Sequence, residues 1–159
     1  CKLDGPSYVR LDRKVLPLLY NDSNAFADGV VELREGMDLC IISTGNMVHT
    51  AMEIADELED KSLSVSVVDL YRLKPLNSEL LLKIIQSCKR VVTLEEHLLA
   101  GGVGSLAAEA MADGGIMKPL KRIGIEDKYY YAYGGRENIQ KICGIDSDSA
   151  VEEILNWMS

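Results

Sequence analysis

The chain has 159 residues, 47% of them hydrophobic, and a formal net charge of -8. That size and content fit one globular domain with its own core. The negative charge repels phosphate backbones and anionic lipid, and no apolar run approaches the roughly 18 residues that span a bilayer, so nucleic acid and membranes are not expected partners.

Chain order starts at Cys1, followed almost at once by "GPSYVRLDR". A strand-like stretch with so little before it reads as a piece cut from a longer chain. "PSYVRL" alternates weakly and predicts a strand over 6–11. Pro17 breaks helix, and the polar "NDSN" forms a loop. "GVVELREG", 29–36, alternates as a half-buried strand and meets the next strand after a glycine turn, so it is expected antiparallel at one edge. "DLCIISTG", 38–45, is a continuous apolar run with a small polar end, the look of a strand buried on both faces.

"NMVHTAMEIADELED" places Val48, Ala51, Met52, Ala55 and Leu58 at helical spacing and predicts a helix over 46–60, with Asn46 as N-cap. Glu53, Asp56, Glu57, Glu59 and Asp60 form its solvated face. Buried strand 63–70 and a crossing loop at Pro75 follow. Next come helix 77–88, capped by Asn77 or Ser78, and strand 90–96. Helix 103–114 closes on glycine, strand 120–127 follows it, and "GRENIQKICG" and "DSAVEEILNWM" form two last helices. Asp148 or Ser149 is expected to cap the second. The alternation predicts an α/β three-layer sandwich: a mostly parallel, Rossmann-like five-stranded sheet with one antiparallel edge strand.

Four cysteines, Cys1, Cys40, Cys88 and Cys143, make no C-x-x-C pair, and only two histidines are available. Reduced structural thiols in a cytoplasmic protein are expected, with no metal site. Tyr129, Tyr130, Tyr131 and Tyr133 cluster beyond a strand end, where aromatics suit either an interface or a core.

The densest chemistry is "VVTLEEHLLAGGVGSLAAEA", 91–110. Glu95, Glu96 and His97 stand at the carboxyl end of a strand, where open parallel sheets bind ligands. Adjacent residues on a strand point to opposite faces, so the two carboxylates do not converge on one proton. One of them is expected to hydrogen-bond neighbouring backbone or to cross an interface. Gly102-Val-Gly104-Ser-Leu-Ala107 fits G-x-G-x-x-A, and Asp127 ends the next strand, close to a dinucleotide fingerprint. The turn from His97 to Gly102 is long for pyrophosphate, and the motif falls late in the domain. The plainer reading is that Gly101, Gly102 and Gly104 let a helix start pack close to the sheet.

The ordered succession of "GPSYVRLDR", "ELREGMDLCIISTGNMVHTAMEIADEL", "VVDLYRLKPLNSELL", "VVTLEEHLLAGGVGS", "RIGIEDKYYYAYGG" and "ICGIDSDSAVEEI" resembles the C-terminal domain of transketolase-type thiamine diphosphate enzymes. The resemblance covers essentially the whole chain. It implies that 1–23 is the tail of a preceding pyrimidine-binding domain plus linker, and 24–159 the C-terminal domain. In that family thiamine diphosphate and magnesium lie between two upstream domains at a dimer interface. No cofactor is expected on this chain, which lacks a G-D-G motif with its later Asn, and the chain alone is expected to be inactive.

The partners implied are the diphosphate- and pyrimidine-binding domains, in the same chain or a separate subunit, in a homodimer. Glu95, Glu96, His97, Gly101, Gly102 and Gly104 would then be structural or interface residues, none of them catalytic. The family's phosphate-binding arginine matches Arg13 in "VRLDRKVLPLL". Its competitor, Arg10, would face the other way if the segment is a strand. Within the family, transketolase, moving a two-carbon ketol unit between sugar phosphates, is the expected member. The 1-deoxyxylulose-5-phosphate synthase and the 2-oxoacid dehydrogenase beta chain are the alternatives. A free-standing assembly module and a nicotinamide-binding domain are readings of other classes.

Overall fold

The computed structural model describes residues 4–13, 15–20 and 26–159. Its elements are β1 (Val31–Arg34), β2 (Leu39–Ser43), α1 (Met47–Glu59), β3 (Val65–Asp69), α2 (Ser78–Ser87), β4 (Arg90–Leu98), α3 (Val103–Asp113), β5 (Leu120–Ile125), α4 (Arg136–Cys143) and α5 (Ser147–Met158). Cys1, the "NDSN" loop and the expected boundary between 23 and 24 lie outside the described residues.

The five strands form one sheet in the order β1-β3-β2-β4-β5. β1 runs antiparallel at the edge, and the other pairings are parallel. β1 does not pair with β2, the strand that follows it in the chain. Its neighbour is β3, with Val31 opposite Asp69. Every residue of β2 and β3 is buried, including Ser43, Ser66 and Asp69, as in strands covered on both faces.

Side-chain alternation builds two cores. Leu39, Ile41, Val65, Val67, Val92, Leu94 and Ile123 face α1 and α5. Cys40, Ile42, Val68, Leu70 and Val91 face α2 and α3. The result is three layers, helix on sheet on helix. Cys40, Cys88 and Cys143 are free, the first two buried on the α2–α3 face. Among the described residues no helix is long and apolar enough to cross a membrane.

Local expectations are met unevenly. Asn77 caps α2, its Oδ1 accepting from Leu80 N at 3.2 Å. Asn46 stands at the N-cap position of α1 but makes no capping bond: its backbone is already helical, and its Nδ2 donates to Asp12. For α5 the cap is Asp146, whose Oδ1 accepts from Ser149 N at 3.3 Å, rather than Asp148 or Ser149. The expected strand over 6–11 does not form: Tyr8, Val9 and Leu11 are exposed, and among the described residues no strand pairs with them. β5 stops at Ile125, which leaves Asp127 exposed beyond it.

Candidate functional site

From β2 the chain crosses through α1 to β3 on one side, then returns through α2 past β2 to β4 on the other. The connections leaving the carboxyl ends of β2 and β4 therefore pass to opposite faces of the sheet, into α1 and α3, and a crevice opens between them, the usual binding place of open α/β sheets. A cavity of about 380 Å³ lies there, lined among others by Asn46, Lys74, Glu96, His97 and Leu106. Beside it an open depression of about 820 Å³ is lined by Arg10, Arg13, Asn46, His49, Glu96 and Arg136.

Glu95 and Glu96 separate by strand parity. Glu95 faces α3 and is buried. Its Oε2 accepts from Val103 N at 2.7 Å and its Oε1 from Gly104 N at 2.8 Å. A carboxylate thus satisfies two of the orphan amides at the start of α3 and complements the helix dipole. Gly102 makes room for the carboxylate, and Gly104 lets the helix start sit against β4 and Arg122. A Cβ on Gly102 would lie 1.9 Å from Glu95 Oε2, and one on Gly104 would lie 2.7 Å from Thr93 Oγ1. Gly101, with φ +77°, turns the chain just before.

The same contacts decide what the glycine motif can hold. β4 continues to Leu98, which pairs with Ile125 after a register shift, so the turn into α3 runs only from Leu99 to Gly102. Turn length is not the obstacle to a dinucleotide. The obstacle is that the amides a pyrophosphate would take already bind Glu95.

Glu96 points to the other face and meets α4. Arg136 Nε donates to its Oε1 at 2.8 Å, Arg136 Nη2 donates to Oε2, and Gln140 Nε2 reaches Oε1 at 3.3 Å. Arg136 Nη1 also donates to Asp12 Oδ2 at 2.5 Å. Hydrogen bonding to Glu96, and then to Asp12, pushes the Arg136 pKa further above its ordinary value. Asp12 Oδ2 accepts from Asn46 Nδ2 at 2.8 Å, and its Oδ1 accepts from the backbone N–H of Arg13 at 2.6 Å. His97 is exposed, with Nδ1 3.2 Å from Leu98 O. Arg10 and Arg13 line the same depression. The parity that would have set them on opposite sides does not apply, because their segment is not a strand.

Sequence reasoning passed over Arg136, Asp12, Tyr20 and Asp69. Arg136 carried a signal: it opens α4, where a cation opposes the helix dipole and needs a carboxylate to hold it there. Tyr20 donates to Asp69, a buried carboxylate ending β3 whose Oδ1 has no partner among the described residues. Burial raises the Asp69 pKa, partly offset by the Tyr20 hydrogen bond and the nearby His49.

The family model described as "Transketolase, C-terminal domain" matches residues 28–149. The chain belongs to this family. It is 40% identical over 153 residues to one subunit of the apulose-4-phosphate transketolase of Actinobacillus succinogenes, covering 96% of this chain and 49% of that relative. It is 36% identical over 159 residues to the 1-deoxy-D-xylulose-5-phosphate synthase of Gloeobacter violaceus, covering 98% of this chain and 25% of the synthase. A solved "Split gene transketolase, inactive beta4 tetramer" superposes with a TM-score of 0.81 at 29% identity, covering 91% of this chain and 47% of that one. The chain thus spans about half the length of the split transketolases it matches.

Proposed function

We propose that this domain serves a thiamine diphosphate-dependent transferase that moves a two-carbon ketol unit between sugar phosphates. Its part is to shape the mouth of the substrate channel and to present the contact for the substrate's terminal phosphate. The observation that carries this reading is the depression where Arg10 and Arg13 come together beside Arg136 at the carboxyl ends of the strands. A planar guanidinium suits bidentate phosphate binding, and Arg13 is the phosphate contact. A relative named for apulose 4-phosphate supports the phosphorylated substrate class.

Residues 1–23 are read as the tail of a pyrimidine-binding domain plus linker, and 24–159 as the C-terminal domain. Diphosphate- and pyrimidine-binding domains, in the same chain or a separate subunit, complete the enzyme as a homodimer in the cytoplasm. The exposed His97 and Gly101 border the cavity between β2 and β4 and are candidates for contact with those domains.

The described residues do not fit thiamine diphosphate or magnesium. Glu95 occupies the α3 amides, and no group of three or more His, Cys, Asp or Glu among the described residues could hold a metal ion. The chemistry on the cofactor is therefore assigned to the partner domains.

The relatives named as synthases support a second reading, in which the intact enzyme makes 1-deoxyxylulose 5-phosphate. The chain assembled with its partner domains should be given a ketose phosphate, or pyruvate, with glyceraldehyde 3-phosphate as acceptor. Ketol transfer from the ketose phosphate, with no carbon dioxide released, is expected. Decarboxylation of pyruvate would move the assignment to the synthase, and activity with neither donor favours an assembly module.

A further inference from the structure

We propose that Arg136 is a positioning residue: through Asp12 it fixes the segment that presents Arg13, so this domain sets the pose of the phosphate contact. The inference rests on the reading of Arg13 given above.

Residues 10–13 belong to no strand or helix. Among the described residues this stretch joins no ladder, so within this domain its side-chain bonds are what place it. The described contacts of this stretch with the rest of the domain converge on the Asp12 carboxylate. Arg136 Nη1 and Asn46 Nδ2 both donate to Oδ2, at 2.5 and 2.8 Å, while Oδ1 takes the Arg13 N–H at 2.6 Å. Asp12 thus joins the first turn of α4 and the start of α1 to the residue whose side chain must meet the phosphate.

Arg136 is itself held in register. Glu96 grips Nε and Nη2, which leaves Nη1 as the donor toward Asp12. A forked guanidinium can bind two carboxylates at fixed angles, and an ammonium cannot. The side chains of Arg136, Asp12 and Glu96 are 34%, 41% and 25% exposed, so solvent screens the pairs and their contribution to stability is small. Their geometry is what the site uses. An arginine at a helix start, unfavourable for the helix itself, is explained by this link.

The test uses the complete enzyme with glyceraldehyde 3-phosphate and, in parallel, glyceraldehyde as acceptors. Arg136→Ala should raise KM for the phosphorylated acceptor about 10-fold, with kcat and the unphosphorylated reaction changed less than about twofold. In an Arg13→Ala background the same substitution should add less than about twofold, because the effect acts through Arg13. Arg136→Lys should stay close to the alanine variant. Should Arg136→Ala not fold, Asp12→Ala removes the acceptor from its exposed end and should give the same selective rise in KM.

Three results overturn the inference. If the Arg13→Ala and Arg136→Ala losses multiply, Arg136 does not act through Arg13. If only Arg13→Ala is selective, the phosphate reading stands and the positioning role fails. If Arg13→Ala itself shows no selectivity, both fall together.

Discussion

Glu95 and Glu96 are adjacent in sequence and work on opposite faces of the sheet. Glu95 accepts from Val103 N and Gly104 N at 2.7 and 2.8 Å on the α3 side. Glu96 accepts Arg136 Nε at 2.8 Å on the α4 side. One carboxylate therefore closes a helix start, and the other ties α4 to the sheet.

The Glu95 contact gives a stability prediction. Glu95→Ala leaves two buried amides without an acceptor, and hydrogen bonds to a charged group contribute about 1.5–3 kcal/mol. The loss in urea denaturation should be about 2–4 kcal/mol. A loss below about 0.5 kcal/mol, the range of ordinary surface changes, would show that water replaces the carboxylate without cost.

Gly102 is coupled to the same carboxylate. A Cβ there would sit 1.9 Å from Glu95 Oε2, so Gly102→Ala must displace the cap or the turn. It should cost about 1–3 kcal/mol, as overpacked sites do. In a Glu95→Ala background the cost should fall by more than half. Equal costs in both backgrounds would mean that the glycine is required by its backbone and not by Glu95.

Much of the fold was legible because burial on both faces leaves a plain mark. "LCIIS" and "VSVVD" are apolar with little interruption, and helical spacing in α1 follows its buried stripe. Strand parity also separates Glu95 from Glu96 on the sequence alone. Illegible were contacts made between distant stretches. Nothing local in "VRLDR" shows that Asp12 meets Arg136, or that its residues stay outside the sheet of this domain. Asn46 has the residue type of a cap, but its backbone is already helical and its amide donates to Asp12, which stands far away in the chain. The extension of β4 past Glu96 depends on pairing Leu98 with Ile125, which only the neighbouring strand determines.

Asp69 predicts a pH dependence. Burial raises its pKa above the ordinary 3.8, so in the window from that value upward the folded chain keeps a proton the unfolded chain has lost. The folded state binds more protons there, and stability must fall as pH rises through the window. Asp69→Asn removes the titrating group and this slope with it. Urea denaturation between about pH 3 and about pH 7 should show the unsubstituted chain losing stability relative to Asp69→Asn as pH rises. A constant difference, or one of the opposite sign, contradicts the assignment.

Tyr129, Tyr131 and Tyr133 are 87%, 93% and 100% exposed, so they contribute little to the core of this chain. Replacing all three with Ser should change the melting temperature only slightly, within about 0.5 kcal/mol of stability. If the loop meets a partner domain, the same variant should weaken assembly measurably by size-exclusion chromatography. Unfolding of the variant would assign the tyrosines to packing, and unchanged assembly would remove them from the interface.

Phosphate capture by Arg13 is the central claim, and the most direct measurement is Arg13→Ala in the complete enzyme. Losing a charge-assisted contact to phosphate costs on the order of 2–4 kcal/mol, or roughly 30- to 1000-fold in kcat/KM. That loss should appear with glyceraldehyde 3-phosphate and be much smaller with glyceraldehyde, while the affinity for thiamine diphosphate stays unchanged. Equal losses with both acceptors, or no loss with either, would contradict the account and leave Arg13 an ordinary surface arginine.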